Sequence, residues 1–276
     1  MRIRGLLAKV AGAAKERARI PLRRAKPVED KIARLWANEA LPSPIGRAGY
    51  TLPALQGASV ISLGDDNWIV ACRGAQSVKR RLVRNDAGVT GNILVLGRRS
   101  RPPKSVHFQG SNGVVIIGDD ILWPNLLEIR LSSDDEVLFW GRGATSNGTS
   151  IILEGHGQNV VVGDDCMFAA GTALRTSDLH GIVDLQTERW LNPPASILIG
   201  PHVWVGQDAM ILKGVSLGAS AIIGAKSLVN KNIPPCCLAA GAPARVLRTE
   251  VSWDRERQPR PSHVKDIVES IRPIAR

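Results

Sequence analysis

The sequence of 276 residues is poor in aromatic side chains, which make up only 4% of it, although hydrophobic residues reach 44%. A chain of this length can bury a large core, and that core must be built mainly from aliphatic side chains. Glycine occurs 27 times and proline 17 times. This composition is typical of a chain with many turns and few long helices.

Cysteine is also scarce, and its spacing excludes the common metal and redox motifs. Cys72, Cys166, Cys236 and Cys237 form no CxxC pair, and the adjacent pair suits a disulfide framework poorly. We therefore expect reduced thiols, as in cytosolic proteins. No apolar run approaches the ~18 residues of a membrane-spanning helix. The expected location is cytoplasmic.

Acidic residues are nearly absent from the N-terminus of this basic chain, whose net charge is +11. Within residues 1–26 Glu16 is the only acidic residue, and no aromatic residue accompanies the basic ones. A nucleic-acid-binding surface would favour aromatic residues interleaved with basic ones, so no nucleic-acid binding is expected. Leu6, Leu7 and Val10 form an apolar side. Residues 1–58 are predicted to be a basic helical and loop region. Its helix either lies peripherally on the inner face of a membrane or packs, solvated, on the body or a neighbouring subunit.

The most regular pattern lies between Val160 and Pro234. An aliphatic residue returns there every six positions, at Ile199, Val205, Ile211, Leu217, Ile223 and Val229. A small or short residue follows four positions after each of the first five, at Val203, Ala209, Val215, Ala221 and Ser227. A period of six fits neither a helix nor an alternating strand. It indicates short strands and tight turns stacked in a solenoid, with both sets of residues pointing inward.

One long loop interrupts this repeat. Leu174 keeps the same six-residue phase, but Ile199 follows 25 positions later, one more than four sixes. The intervening segment from Thr176 to Asn192 must leave the coil, and it contains a single histidine, His180. Loops held by a rigid scaffold commonly carry function, so this loop is the first candidate site.

The rest of the chain predicts a β domain over residues 59–248, with regular coils over 160–234, and a tail with a helix over 249–276. Gly-Asp-Asp turns recur at Gly64, Gly118 and Gly163 and predict turns rather than metal ligands. The spacing before residue 160 is uneven, which leaves irregular coils or a separate N-terminal β region. A helix from Ser262 to Ile271 is expected to cap the end of the solenoid.

The run from Ile199 to Arg248 resembles the hexapeptide-repeat acyltransferases. Within it, Val203-Trp204-Val205-Gly206 and Gly241-Ala242-Pro243-Ala244 carry the resemblance. The His180 loop makes the chain similar to bacterial polysaccharide and sugar O-acetyltransferases. The resemblance implies a mainly β fold, a left-handed parallel β-helix with three hexapeptides per coil. It also implies a homotrimer with active sites between subunits, and acetyl-CoA bound along the outside.

Under this resemblance His180 would be the general base, because an imidazole changes its charge near neutral pH. Asp178 or Asp184 would orient it, and the choice between them stays open. His202 is the rival, although a structural role in a turn is favoured for it. No metal is expected, because the closely spaced histidine pair of the solenoid carbonic anhydrases is absent. The resemblance implies cofactor-binding roles for Trp204, Gln207, Ala225, Asn230, Lys231, Arg245 and Arg248.

The leading functional hypothesis is an acetyl-CoA-dependent O-acetyltransferase that acts directly on a sugar hydroxyl of a bacterial surface glycan. Two alternatives stay open at this point: an acetyltransferase for a small acceptor such as an antibiotic or an amino sugar, and a non-enzymatic solenoid scaffold. Acetyl-CoA binding separates the enzymes from the scaffold.

Overall fold

The structure, a computed structural model, describes residues 58–76 and 79–271 continuously. Between residues 30 and 55 it describes 30–31, 33–34, 37, 41–42, 45 and 47–55. Asp30, Lys31, Ala33 and Arg34 are helical. The rest of the helix predicted for the basic N-terminus, and the membrane contact considered for it, lie outside the described residues.

The described residues form twenty short strands, one 3-10 turn and one C-terminal helix. The first strands are β1 Ser59–Gly64, β2 Asn67–Ala71, β3 Val83–Asn85, β4 Ile93–Leu96, β5 Val106–Phe108, β6 Val114–Ile117, β7 Pro124–Leu131, β8 Val137–Trp140 and β9 Thr145–Leu153. The following strands are β10 Asn159–Val162, β11 Met167–Phe168, β12 Thr172–Arg175, β13 Ile197–Ile199, β14 Trp204–Val205, β15 Met210–Ile211, β16 Ser216–Leu217, β17 Ile222–Ile223, β18 Leu228–Val229, β19 Cys237–Gly241 and β20 Ala244–Thr249. The 3-10 turn covers Arg80–Leu82, and helix α1 covers Pro261–Ile271.

Three strands make one coil in the C-terminal half. Strands β10, β13 and β16 stack in parallel as the first face, β11, β14 and β17 as the second, and β12, β15 and β18 as the third. Ile199 pairs with Leu217, and Val205 pairs with Ile223. Each partner lies 18 positions later, so one coil contains three hexapeptides. The predicted stacking of short parallel strands is confirmed.

The N-terminal half continues the same stack with longer coils. Along the first face Trp68 pairs with Ile93, Ile93 with Val114, and Val114 with Val137. These steps are 25, 21 and 23 residues, against 18 further along the chain. Of the two alternatives for this half, the irregular coils are confirmed. Extra residues are accommodated in the turns and at register shifts such as those of β7 against β9.

The core lies inside the coils, where the repeat places it. All six repeat aliphatics are at most 1% exposed, and the small residues between them are at most 2% exposed. The first face is also covered on its outer side. There Val95, Ile116 and Phe139 pack with Ile45 and Leu55 of the segment before β1. Strands buried on both sides explain the uninterrupted apolar runs in this sheet.

The Gly-Asp-Asp motifs are turns, as predicted. The side chain of Asp164 accepts hydrogen bonds from the backbone N–H groups of Arg142 (2.9 Å) and Thr51 (3.0 Å). Asp120 and Asp165 occupy the second aspartate positions with φ of 63° and 57°, where aspartate is tolerated better than most side chains. The first aspartate therefore joins neighbouring coils and the second completes the turn.

The C-terminal helix exists, but its expected position over the last coil is wrong. The segment before it runs back along the side of the stack, where Trp253 stacks on His202 and Arg255 pairs with Asp165 at 2.8 Å. At the start of α1, His263 lies 2.7 Å from Asp254. These side-chain contacts hold the start of the helix beside the coils, and β20 pairs with β19 at the end of the stack.

Candidate active site

The long loop, residues 176–196, leaves the stack after the third face and folds into a hairpin. Its two arms pair through the N–H of Asp184 and the carbonyl of Arg189 (2.9 Å), and through the N–H of Leu191 and the carbonyl of Ile182 (2.8 Å). The predicted functional loop is therefore an ordered projection, which we call the hairpin.

Asn192 fixes the shape of the hairpin from its centre. Its Oδ1 accepts hydrogen bonds from the N–H of Ile182 (2.6 Å) and from Nε1 of Trp190 (2.8 Å). Its Nδ2 donates to Oδ2 of Asp178 (2.8 Å) and to the carbonyl of His180 (2.9 Å). One amide side chain thus satisfies four groups and positions the backbone of His180.

Lys213 connects the hairpin to the next coil. Its Nζ donates to Oδ2 of Asp178 (2.5 Å) and to the carbonyl of Asn192 (2.7 Å). The hydrogen bond from Lys213, followed by that from Asn192, holds the pKa of Asp178 below its ordinary value. Asp178 therefore stays ionised at neutral pH and anchors the hairpin to the scaffold.

His180 is exposed on this hairpin. Within the described part of the chain its imidazole makes no hydrogen bond, ion pair or ring contact. Neither ring nitrogen is therefore bound by another described residue. Asp184 instead accepts hydrogen bonds from the N–H groups of Gln186 (2.8 Å) and Thr187 (2.9 Å). These bonds, that of Thr187 first, lower the pKa of Asp184. The catalytic assignment of His180, Asp178 and Asp184 stays a prediction.

Five of the seven predicted cofactor residues lie on the second face or the turns and strand beside it. Trp204 belongs to β14 of the second face. Gln207 and Ala225 lie in the turns after β14 and β17, and these two turns are adjacent because the N–H of Lys226, next to Ala225, donates to the carbonyl of Gln207 (2.7 Å). Arg248 continues the row of Trp204, because Trp204 pairs with Ile222, Ile222 with Leu238, and Leu238 with Arg248. The fifth, Arg245, is exposed on β20.

Asn230 and Lys231 lie at a different corner. They follow β18 on the third face, and the N–H of Leu212 donates to the carbonyl of Val229 (3.0 Å). Lys231 therefore occupies the position of Lys213, one coil of 18 residues later. These two residues therefore lie one coil beyond the root of the hairpin, and away from the row that contains Trp204.

His202 has both ring nitrogens held within the chain. Its Nδ1 lies 2.7 Å from Oδ2 of Asp165, and its Nε2 lies 3.0 Å from the carbonyl of Trp253. The rings of His202 and Trp253 stack with their centroids 4.4 Å apart, and the centroid of the Trp253 ring lies 6.2 Å from that of the Trp204 ring. This geometry supports the structural role favoured for His202, which joins the C-terminal segment to the second face.

Sequence reasoning missed Asn192, Lys213 and Trp253 as site residues. Asn192 and Lys213 act through contacts across the hairpin root, and the six-residue period carries no signal for them. Trp253 lies in a stretch that reads only as polar, 51 positions from its partner His202. A rare aromatic residue in that stretch was the one available signal.

Two features are absent from the part of the chain that the structure describes. No group of three or more histidine, cysteine, aspartate or glutamate side chains in that part of the chain could hold a metal ion. No helix there is both long enough and apolar enough to cross a membrane.

The sequence matches known O-acetyltransferases over part of its length, although no protein-family model matches it. A segment of 97 residues, 35% of this chain, is 36% identical to 32% of the polysialic acid O-acetyltransferase of Escherichia coli O1:K1 / APEC. A segment of 110 residues, 39% of this chain, is 34% identical to 52% of the galactoside O-acetyltransferase of Escherichia coli (strain K12).

A solved structure extends the match to most of the chain. The polySia-specific acetyltransferase NeuO aligns with 71% of this chain and 99% of its own, at 26% identity and a TM-score of 0.54. The chain is therefore similar to sugar O-acetyltransferases, as the resemblance in the repeat and in the His180 loop predicted. The aligned segments span only about a third to a half of the two curated relatives.

Proposed function

We propose that this chain is an acetyl-CoA-dependent O-acetyltransferase that transfers an acetyl group directly to a sugar hydroxyl of a bacterial surface glycan. The relatives are named for acetylation of polysialic acid and of galactosides, which supports a saccharide acceptor. The observation that carries the proposal is the exposed His180 on a hairpin whose backbone Asn192 fixes. A scaffold protein has no need of a free imidazole held in this way.

In the proposed reaction the neutral imidazole of His180 accepts the proton of the sugar hydroxyl. The hydroxyl oxygen attacks the thioester carbonyl carbon, a new C–O bond forms, and the C–S bond breaks. The CoA thiolate leaves and takes up a proton, for which the imidazolium of His180 is the donor at hand. No covalent acetyl-enzyme is required, since none of the four cysteines lies in the hairpin.

The residues along the outside of the coils would bind acetyl-CoA. Gln207 and Ala225 would lie along the pantetheine arm, because the two turns that carry them are adjacent and exposed. Trp204 would pack near the thioester or the sugar. The phosphates of CoA would meet charged or amide donors, for which guanidinium groups are well suited. These donors would be Asn230, Lys231, Arg245 and Arg248.

The proposal includes a left-handed parallel β-helix assembled as a homotrimer, with each active site between two subunits. In the described part of one chain, no hydrogen bond, ion pair or ring contact joins the hairpin to Trp204, Ala225 or Arg248. We therefore assign the two regions of one site to two neighbouring subunits. The hairpin also exposes large apolar side chains that a neighbour would cover, namely Leu179, Ile182, Val183, Leu185, Trp190 and Leu191. A cytoplasmic location, with peripheral contact to the inner membrane face through the basic N-terminus, is part of the proposal.

The test is an acetyl-transfer assay on the full chain, with acetyl-CoA and a panel of glycans read by mass spectrometry. We expect a mass increase of one acetyl group on a saccharide. Transfer to an antibiotic or amino sugar alone would support the small-acceptor alternative. A protein that fails to bind acetyl-CoA in a calorimetric titration would be a scaffold, and the proposed enzyme would be excluded.

A further inference from the structure

The outward side chains of the second face form a row that continues from Trp204 into the N-terminal coils. Trp204 pairs with Met167, and Met167 pairs with Thr145. The next pair in register is Ser146 with Pro124, and the N–H of Ser146 donates to the carbonyl of Trp123 at 2.8 Å. Trp123 is therefore level with Thr145, one coil further along the row.

Both ends of this row segment are exposed indoles in a chain with few aromatic residues. Trp123 is 59% exposed and Trp204 is 38% exposed. Three steps between neighbouring parallel strands separate them, or about 14 Å. The guanidinium of Arg101 lies 5.3 Å from the centre of the Trp123 ring, a cation–π contact that steadies the ring. Trp123 keeps most of its surface open to solvent.

Polar groups lie between the two indoles. Nη1 of Arg255 donates to Oγ1 of Thr145 (3.0 Å), and Nε of Arg255 donates to Oδ1 of Asp165 (2.9 Å). The side chain of Arg255 is 38% exposed, and its Nη2 also donates to the carbonyl of Cys166 (3.1 Å). The row thus places the hydrogen-bonded pair of Thr145 and Arg255, together with Met167, between two aromatic rings.

This alternation matches the chemistry of a saccharide chain. A sugar ring presents an apolar C–H surface that packs against an aromatic face, while its hydroxyl groups form hydrogen bonds with polar neighbours. Single-stranded nucleic acid also stacks on aromatic residues, but it needs a groove of unpaired positive charge along its backbone. Arg255 is already paired with Asp165.

We propose that the row from Trp204 to Trp123 is a binding track for an oligosaccharide or polysaccharide acceptor, with Trp123 holding a sugar ring distant from the reacting one. The inference rests on the proposed function, which assigns Arg248, at the other end of the same row, to acetyl-CoA. The Trp123 end of the row is therefore assigned to the acceptor. One sugar ring cannot contact both indoles, so the acceptor is a chain of several sugars.

The experiment measures saccharide binding by calorimetry with the full chain and without acetyl-CoA. The probes are sialic acid and galactose oligomers of increasing length, starting from the monosaccharides. For wild type, affinity for one series should increase with length until the oligomer reaches both indoles. Trp123→Ala should weaken binding of the longest oligomers roughly threefold to tenfold, the range of aromatic contact energies. It should leave the affinity for the monosaccharide unchanged.

Two further variants separate the track from a merely apolar surface. Trp123→Phe keeps an aromatic ring and should retain part of the affinity for long oligomers. Leu127→Ala removes another exposed apolar side chain of the same coil, 43% exposed, and should bind like wild type. Melting temperature and light-scattering mass are measured for every variant. A loss of oligomeric mass in Trp123→Ala with unchanged glycan affinity would make this surface a subunit contact and overturn the track.

Other results would also overturn it: no binding of either series by wild type, no length dependence, or equal losses in Trp123→Ala for monosaccharides and long oligomers. The outcome is independent of the acetyl-transfer assay. Length-dependent binding without acetyl transfer would reject the proposed reaction and keep the track. Acetyl transfer that is insensitive to Trp123 would keep the reaction and reject the track.

Discussion

The hairpin and the second face differ in how the chain holds their functional groups. The imidazole of His180 on the hairpin contacts nothing in the described chain, although Asn192 binds its backbone carbonyl at 2.9 Å. On the second face, His202 and Trp253 stack and exchange hydrogen bonds beside Trp204. The hairpin presents an unbound imidazole on a fixed backbone, whereas the side chains of His202 and Trp253 on the second face are already held by contacts within the chain. The difference is consistent with the proposal that one active site takes these two regions from two subunits.

The largest expected effect separates the two histidines. His180→Ala should lower kcat by roughly 10²–10⁴-fold, the usual contribution of a positioned base, without changing the melting temperature. His202→Ala, the matched control, should keep most of the activity. It should lose about 1–3 kcal/mol of stability, because its bonds to Asp165 and Trp253 are removed.

Steady-state kinetics and thermal melting on both variants check this prediction. The opposite pattern, with activity lost in His202→Ala and kept in His180→Ala, would transfer the base to His202 and reverse the roles of the two regions.

The next largest effect concerns the charges assigned to acetyl-CoA. Arg248→Ala and Lys231→Ala should each raise the Kd for acetyl-CoA by roughly 10- to 150-fold, because each removes a charge-assisted hydrogen bond worth about 1.5–3 kcal/mol. The loss should largely disappear with a truncated thioester that lacks the 3′-phosphoadenosine. Calorimetry with both donors measures this. Equal losses for the two donors would show that these residues do not bind the phosphates.

A smaller effect is expected from loosening the hairpin. Asn192→Ala removes the amide that binds Asp178, Ile182, Trp190 and the carbonyl of His180. The imidazole then loses its fixed position, and turnover should fall about tenfold or more, while the affinity for acetyl-CoA is unchanged. Gln186→Ala, an exposed change in the same hairpin, is the control and should behave like wild type. Equal kcat values for the two variants would argue against positioning by Asn192.

The smallest effect lies outside both regions, in the longer N-terminal coils. Burial raises the pKa of Glu136 from 4.5 to about 8, opposed by hydrogen bonds from the Ser133 and Ser132 backbone and assisted by Glu154 and Asp134. The folded chain keeps this proton where the unfolded chain has lost it. Stability should therefore decrease as the pH rises from about 4.5 to 8.

Thermal melting of wild type and Glu136→Gln between pH 5 and pH 8 checks the sign. Glu136→Gln should remove this part of the pH dependence and leave acetyl transfer unchanged, since the side chain is buried and its hydrogen-bond partner, the N–H of Ser133, lies outside the hairpin and the second face. A wild-type melting temperature that rises over this range, relative to the variant, would contradict the buried protonated carboxyl.

The sequence predicted the regular coils well because each hexapeptide is a local unit. The inward positions of Ile199, Val205 and Ser227 follow from spacing alone, and the break after Leu174 locates the hairpin. The lengths of the N-terminal coils could not be predicted, because these coils accommodate extra residues at register shifts and follow no fixed period. The hairpin's internal order was also hidden, because Asn192 joins groups 10 to 14 positions away through one side chain. The position of α1 depends on Trp253 meeting His202, a contact without any local signal.

The proposed active site combines the hairpin of one subunit with the second face of another. Co-expression of two inactive chains, His180→Ala and Ala225→Trp, tests this arrangement. In every mixed trimer one of the three sites combines the intact hairpin of one chain with the intact second face of the other, so about a third of the sites are complete. We expect purified mixed oligomers to regain about this share of wild-type kcat, whereas each variant alone stays inactive. Mixed oligomers that remain inactive, although sizing confirms that both chains are present, would contradict it.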